Sequence, residues 1–136
     1  FHQDIYNSKK KAKAIVHSHS TNATALSTHN KKIPPFHYMV ALAGGIDIKC
    51  AKYATYGTRE LSKNILKALK NRSACLIANH GQITFGQSLT EAFELAEEVD
   101  NLAKQYIKAL VLGRPKLLSL NEMKKVLSKS KTYKRG

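Results

Sequence analysis

Two cysteines, Cys50 and Cys75, are all that 136 residues carry, and this scarcity excludes a disulfide framework. Their spacing also excludes a cysteine-built zinc site, and each lies in an apolar stretch, so both read as core residues. No apolar run approaches the ~20 residues a membrane-spanning helix needs. Phe1-His2-Gln3-Asp4 does not read as a signal peptide, and a reducing, cytoplasmic location is expected. There is no internal repeat and no low-complexity linker. Acidic residues are also scarce: nine Asp+Glu face 23 Lys+Arg, a net charge of +14.

Such a charge raises the question of nucleic acid, but its distribution argues otherwise. Glu91, Glu94, Glu97, Glu98 and Asp100 hold most of the acid in residues 91–100, where no Lys or Arg occurs. The basic residues are scattered and mostly lysine, with arginine only at Arg59, Arg72, Arg114 and Arg135. Arginine is the better fork for phosphates and base edges, and no recognition motif organises these residues. A solvated lysine-rich surface is expected, with neither nucleic acid nor membrane as partner.

What is present is an ordinary globular mix, 43% apolar and 24% charged, in a length suited to one domain. The chain opens without Met on Phe1 and Ile5 at helical spacing and without a cap, as if within an element of something longer. Lys9-Lys10-Lys11 and Lys13 read as a turn into Ala14-Ile15-Val16, a buried strand. Residues 20–28 suit a helix. Phe36, Met39, Val40 and Ala43 share a face that predicts a second helix, stopped by Gly44-Gly45. Ile46, Ile48 and Cys50 alternate with polar residues as in a half-exposed strand.

Thr58 is placed to cap a helix that buries Leu61, Ile65, Leu66 and Leu69. Ala74 to Ala78 predicts a buried strand, turned by Asn79-His80-Gly81 into a return strand over Gln82 to Phe85. Ser88-x-x-Glu91 is a capping box that opens a helix of about six turns, ended by Gly113 and Pro115. Ser119-x-x-Glu122 caps a last short helix carrying Met123, Val126 and Leu127. Strands and helices interleave, so the class is α/β.

Residues i and i+2 of an extended segment point to the same side, so His17 and His19 present two imidazoles together at a strand end. His80 ends another buried strand beside a glycine that permits a sharp turn. Three imidazoles converging from strand ends suit a catalytic zinc site with its fourth position open. His-x-His alone also arises from two unrelated surface histidines; His80 in a matching context adds to the zinc reading. His2, His29 and His37 lack such spacing and read as partly exposed polar positions. Tyr38 and Tyr56 are candidate proton donors or half-buried packing residues. No catalytic carboxylate is evident: Asp4, Asp47 and Glu60 have no obvious partner, and the acids at 91–100 form a helix face.

These residues also carry a family resemblance. Ala14-Ile15-Val16-His17-Ser18-His19, Ile33-Pro34, His37-Tyr38-Met39 and Ala43-Gly44-Gly45 resemble the zinc-dependent class II aldolase/adducin family. Tyr53 to Ser62, Ala68 to Arg72, Asn79-His80-Gly81 and Lys131-Thr132-Tyr133 resemble its fuculose-phosphate-aldolase branch. The resemblance runs from Phe1 to Tyr133.

It implies a three-layer α/β/α fold around a mainly antiparallel sheet, with residues 1–136 a single domain that lacks its N-terminal part. It further implies a homotetramer with active sites between subunits. His17, His19 and His80 match the family's zinc ligands, which serve Lewis-acid cleavage of L-fuculose 1-phosphate, or a similar sugar phosphate, to dihydroxyacetone phosphate and lactaldehyde. Tyr38 matches a tyrosine that reaches the neighbouring subunit's site and protonates the aldehyde-derived oxygen, and Tyr133 a tail tyrosine that helps close the site. Tyr56 stands where the aldolase has a phenylalanine lining the aldehyde pocket.

Family members carry a further N-terminal segment with phosphate-binding loops and a general acid/base glutamate, and residues 1–136 hold no counterpart. On the same scaffold, a pentulose-phosphate 4-epimerase, a methylthioribulose-phosphate dehydratase or a non-catalytic adducin-like module are the alternative expectations.

Overall fold

Strand β3 (Ala74–Ile77) is buried along its whole length, and its alternation divides the interior in two. Ala74 and Leu76 face one apolar cluster, Cys75 and Ile77 the other. A strand apolar on both faces needs cover on both, at roughly 1.5–3 kcal/mol for each large side chain buried. The first cluster is completed by α2 (Thr21–Ser27), the long α4 (Leu89–Val111) and α5 (Leu120–Tyr133). The second is completed by α1 (His2–Ser8) and α3 (Arg59–Ala68), through Ile5, Leu61 and Ile65. The result is a three-layer α/β/α arrangement, seen in a computed structural model that describes the backbone of residues 1–133 and the side chains of residues 1–131.

The sheet has four strands in the order β1-β4-β3-β2, with β1 spanning Ala14–Ser18, β2 Cys50–Ala51 and β4 Gly81–Gly86. β4 pairs antiparallel with both β1 and β3, whereas β2 and β3 are parallel and joined through α3. The sheet is therefore mainly antiparallel, as expected. Among the described residues no helix is long and apolar enough to cross a membrane.

The caps follow the sequence with one adjustment. Thr58 Oγ1 accepts from the Leu61 N–H at 3.2 Å, and Ser119 Oγ from that of Glu122 at 3.1 Å. Ser88 Oγ accepts from the Glu91 N–H, but the Glu91 carboxylate returns to the Gln87 N–H, one residue before the cap.

Two expectations change. The segment from Phe36 is a 3₁₀ turn over Tyr38–Ala43 rather than an α-helix, ended by Gly44 at φ 94°. Three-residue spacing still buries Val40 and Ala43 together, and the His37 Nδ1 acceptor on the Met39 N–H starts the turn tightly. The strand expected over Ile46, Ile48 and Cys50 is reduced to Cys50–Ala51, with Ile48 pairing in a single bridge to Ile33. Asp47 explains the loss. Its side chain turns inward, only 4% exposed, and binds Arg72 and Lys32, so the alternation breaks there. Asp47 thus has the partners that its sequence neighbourhood does not reveal.

Candidate metal centre

Antiparallel pairing of β1 with β4 sets Ser18 opposite Gln82. That register brings the β3–β4 turn alongside the end of β1, and with it His80 beside His17 and His19. The three imidazoles form a nearly equilateral triangle, with ring centroids 5.0 Å apart for His17–His19 and 4.9 Å for the other two pairs. One ring nitrogen from each lies within 4.8 Å of the others. Zn–N bonds of about 2.0–2.1 Å at tetrahedral angles put imidazole centroids roughly 5 Å apart, so the triangle fits one zinc ion. The group contains no carboxylate.

The ring orientations have physical causes. A carbonyl oxygen can only accept, so the 2.8 Å contact of His17 Nδ1 with the Gln82 carbonyl places the proton on Nδ1. Nε2 is then the free donor atom, an arrangement typical of a metal-binding histidine. The His80 turn is held from below by α2, where the buried Ser27 accepts from the Asn79 N–H at its carbonyl, 3.2 Å, and from the His80 N–H at Oγ, 3.4 Å. Gly81 lets the two strands meet, because a Cβ there would stand 2.3 Å from the Ser18 carbonyl oxygen.

Burial pushes the His17 imidazole below its ordinary value of 6.5 despite the Gln82 hydrogen bond, and His80, His19 and His2 add to the fall. Burial and then His19 lower His80 in the same direction. Both rings therefore favour the neutral form that a metal requires. His19 is exposed, which leaves the open side of the triangle to solvent.

The other candidates are placed differently. His2, which lacks a spacing signal, lies beside the cluster with its ring 6.4 Å from His17, and Phe1 packs edge-on against His17 at 5.3 Å. His37 serves the 3₁₀ turn, and the Tyr38 ring stacks on His37 at 4.9 Å rather than on the three histidines. Tyr38 is 55% and Tyr56 82% exposed, so both project from the surface of this chain. The side chain of Tyr133 lies outside the described residues.

Asp100 departs from the helix-face reading of the 91–100 acids. Its carboxylate accepts from the N–H groups of Asn22 and Ala23 at 3.0 and 2.8 Å and from Asn22 Nδ2 at 2.8 Å. Ser27 and Asp100 carry no local signal in the sequence, since each acts on residues more than fifty positions away.

Comparison with known proteins finds relatives over most of the chain. The model of the class II aldolase and adducin N-terminal domain matches residues 1–107. A 5-methylthioribulose-1-phosphate/5-deoxyribulose-1-phosphate aldolase of Rhodospirillum rubrum is 47% identical over 133 residues, covering 98% of this chain and 60% of that protein. The L-fuculose phosphate aldolase of Escherichia coli K12 is 48% identical over 134 residues, 98% of this chain and 62% of its own. A solved L-fuculose 1-phosphate aldolase superposes with a TM-score of 0.91 at 42% identity, covering 96% of this chain and 61% of that one. The chain thus spans about three-fifths of the length of the curated relatives it matches.

Proposed function

Since the chain belongs to the class II aldolase and adducin family, we propose that it carries the zinc centre of an aldolase cleaving a ketose 1-phosphate, with L-fuculose 1-phosphate as the first candidate. The observation that carries this reading is the triangle of His17, His19 and His80. A zinc ion bound there supplies Lewis-acid stabilisation of the negative charge that develops when the carbon–carbon bond of the sugar phosphate breaks. His17 and His80 favour neutral rings, the Gln82 carbonyl orients that of His17, and the exposed side by His19 leaves room for substrate.

Tyr38 is proposed to protonate the aldehyde-derived oxygen in a neighbouring subunit, a role that suits an exposed side chain. Tyr56, still more exposed, is proposed to line the aldehyde end, and Tyr133 to help close the site. This reading takes residues 1–136 as part of one domain in a cytoplasmic homotetramer. Among the described residues no carboxylate joins the three imidazoles.

A second substrate reading has its own support. The Rhodospirillum rubrum relative is named for 5-methylthioribulose and 5-deoxyribulose 1-phosphates and is about as similar as the Escherichia coli fuculose enzyme, 47% against 48% identical. These substrates are all ketose 1-phosphates, and one retro-aldol cleavage serves them all.

The test is cleavage by the zinc-loaded chain, alone and mixed with the separately expressed N-terminal segment of an intact relative. Loss of general acid/base catalysis typically removes about 10²–10⁴-fold, so the 136-residue chain alone is expected to turn over negligibly. The mixture is expected to release dihydroxyacetone phosphate from L-fuculose 1-phosphate. Release from 5-deoxyribulose 1-phosphate alone would select the second substrate. Conversion of a pentulose 5-phosphate without carbon–carbon cleavage would replace the aldolase reading with an epimerase.

A further inference from the structure

Ser20 is the N-cap residue of α2 and of a type that caps well, yet its own side chain makes no capping bond. The N–H groups it would serve, at Asn22 and Ala23, go instead to Asp100 on α4. The Ser20 hydroxyl is used elsewhere. It accepts from Gln82 Nε2 at 2.9 Å, and it lies close enough to the Asp100 carboxylate to help hold that carboxyl low. A hydroxyl that lies between an amide donor and a carboxylate links the two, so the three side chains form one row.

Both ends of this row act on the metal centre. Ser20 follows His19 directly, so Asp100 fixes the backbone on which His19 is mounted. Gln82 is 1% exposed, and its Nε2 also donates to the Ala96 carbonyl at 2.9 Å, which ties β4 to α4. The carbonyl of the same residue accepts from His17 Nδ1 and sets that ring. Asp100 and Ala96 stand one turn apart on α4, so a single helix holds both the His17 carbonyl partner and the His19 backbone.

We infer that Asp100, through Ser20 and Gln82, is a positioning residue for His17 and His19. This rests on the zinc reading only for its metal readout; the orientation of the rings is a property of the metal-free protein as well. Partners in the shell behind metal ligands typically change metal affinity by about 10- to 100-fold when removed.

The test uses Ser20→Ala and Asp100→Asn, with Val99→Ala as a control that loosens α4 packing without touching the row. Zinc affinity is measured by competition with a chromophoric chelator. In the metal-free protein near pH 8, the tautomer of His17 is read from its ring ¹⁵N shifts. Ser20→Ala is expected to weaken zinc about 10-fold or more and to mix the His17 tautomers, with little change in Tm because Asp100 still caps α2. Asp100→Asn should weaken zinc at least as much, and Asp100→Glu should recover part of the loss. Val99→Ala should lower Tm and leave zinc affinity and tautomer unchanged.

Parent-like affinity and a pure Nδ1–H tautomer in Ser20→Ala would overturn the inference, as would a loss of affinity in Val99→Ala equal to that in Ser20→Ala. If the parent protein binds no zinc, the zinc reading fails, and the tautomer of Ser20→Ala still decides the positioning role.

Discussion

Gly81 and Ser18 meet backbone to backbone at the point where β1 and β4 bring the three histidines together, and a Cβ on Gly81 would stand 2.3 Å from the Ser18 carbonyl oxygen. Relief requires one strand to move, because the obstacle is main chain. Gly81→Ala is therefore expected to destabilise the protein toward the upper end of the ~1–3 kcal/mol typical of overpacking, and to remove the metal site. Denaturant unfolding and metal titration of the same sample check both parts. A variant that keeps parent stability and zinc binding would contradict the close approach.

Asp47 separates a buried ion pair from an exposed one. Arg72 forks onto its carboxylate with a side chain 12% exposed, while Lys32, on the other oxygen, is 57% exposed. Asp47→Ala takes the carboxylate from a largely covered Arg72 guanidinium that keeps only the main-chain carbonyls of residues 47 and 70, for an expected loss toward the lower end of the ~3–5 kcal/mol of a broken buried pair. Lys32→Ala should cost less than ~1 kcal/mol, as is usual for exposed pairs. Equal losses in urea unfolding of the two variants would refute this ordering.

The lowered values of His17 and His80 give a signed pH dependence. Below the ordinary value of 6.5 the unfolded chain takes up protons that the folded metal-free protein resists, so stability falls as pH falls. Burial also opposes ionisation of Asp47 and Asp100, but hydrogen bonds from Lys32 and Arg72, and from Ala23, Asn22 and Ser20, outweigh it and hold both carboxyls low. Their contribution is present above the ordinary 3.8 and is lost as pH falls through the folded values. Metal-free protein should thus lose Tm in two stages, one starting near pH 6.5 and one in the carboxylate range. His17→Gln and His80→Gln should each flatten the first stage and leave the second.

Much of this was legible in the chain because the signals are local. His17 and His19 share a side of one strand, and Asn79-His80-Gly81 sits between two apolar stretches, so the hairpin follows from spacing, while spacing makes the triangle a candidate that the family resemblance singles out. α4 follows from its three-four repeat and its Ser88 cap. Asp47, Asp100 and Ser27 were not legible, since a carboxylate or hydroxyl looks solvated until its distant partner arrives. The 3₁₀ turn carries no sequence signal of its own, because Phe36, Met39, Val40 and Ala43 satisfy helix spacing over too few residues to distinguish the two helices.

Tyr38 is exposed and stacked on His37, apart from the histidine triangle. Tyr38→Phe is expected to leave zinc affinity and Tm at parent values. In the assembled enzyme it should lower aldol cleavage by about 10²–10⁴-fold, the range for a lost proton donor. Sedimentation should show self-association at micromolar concentration, since the role assigned to Tyr38 needs a neighbouring subunit. Full activity in Tyr38→Phe would remove it from the mechanism.

Metal content after equilibrium dialysis against zinc tests the centre most directly, with the parent compared to His17→Ala, His19→Ala and His80→Ala. The triangle of imidazoles predicts one zinc per chain in the parent and none retained stoichiometrically in any of the three variants. Full zinc retention in His80→Ala, with the fold intact, would contradict the account.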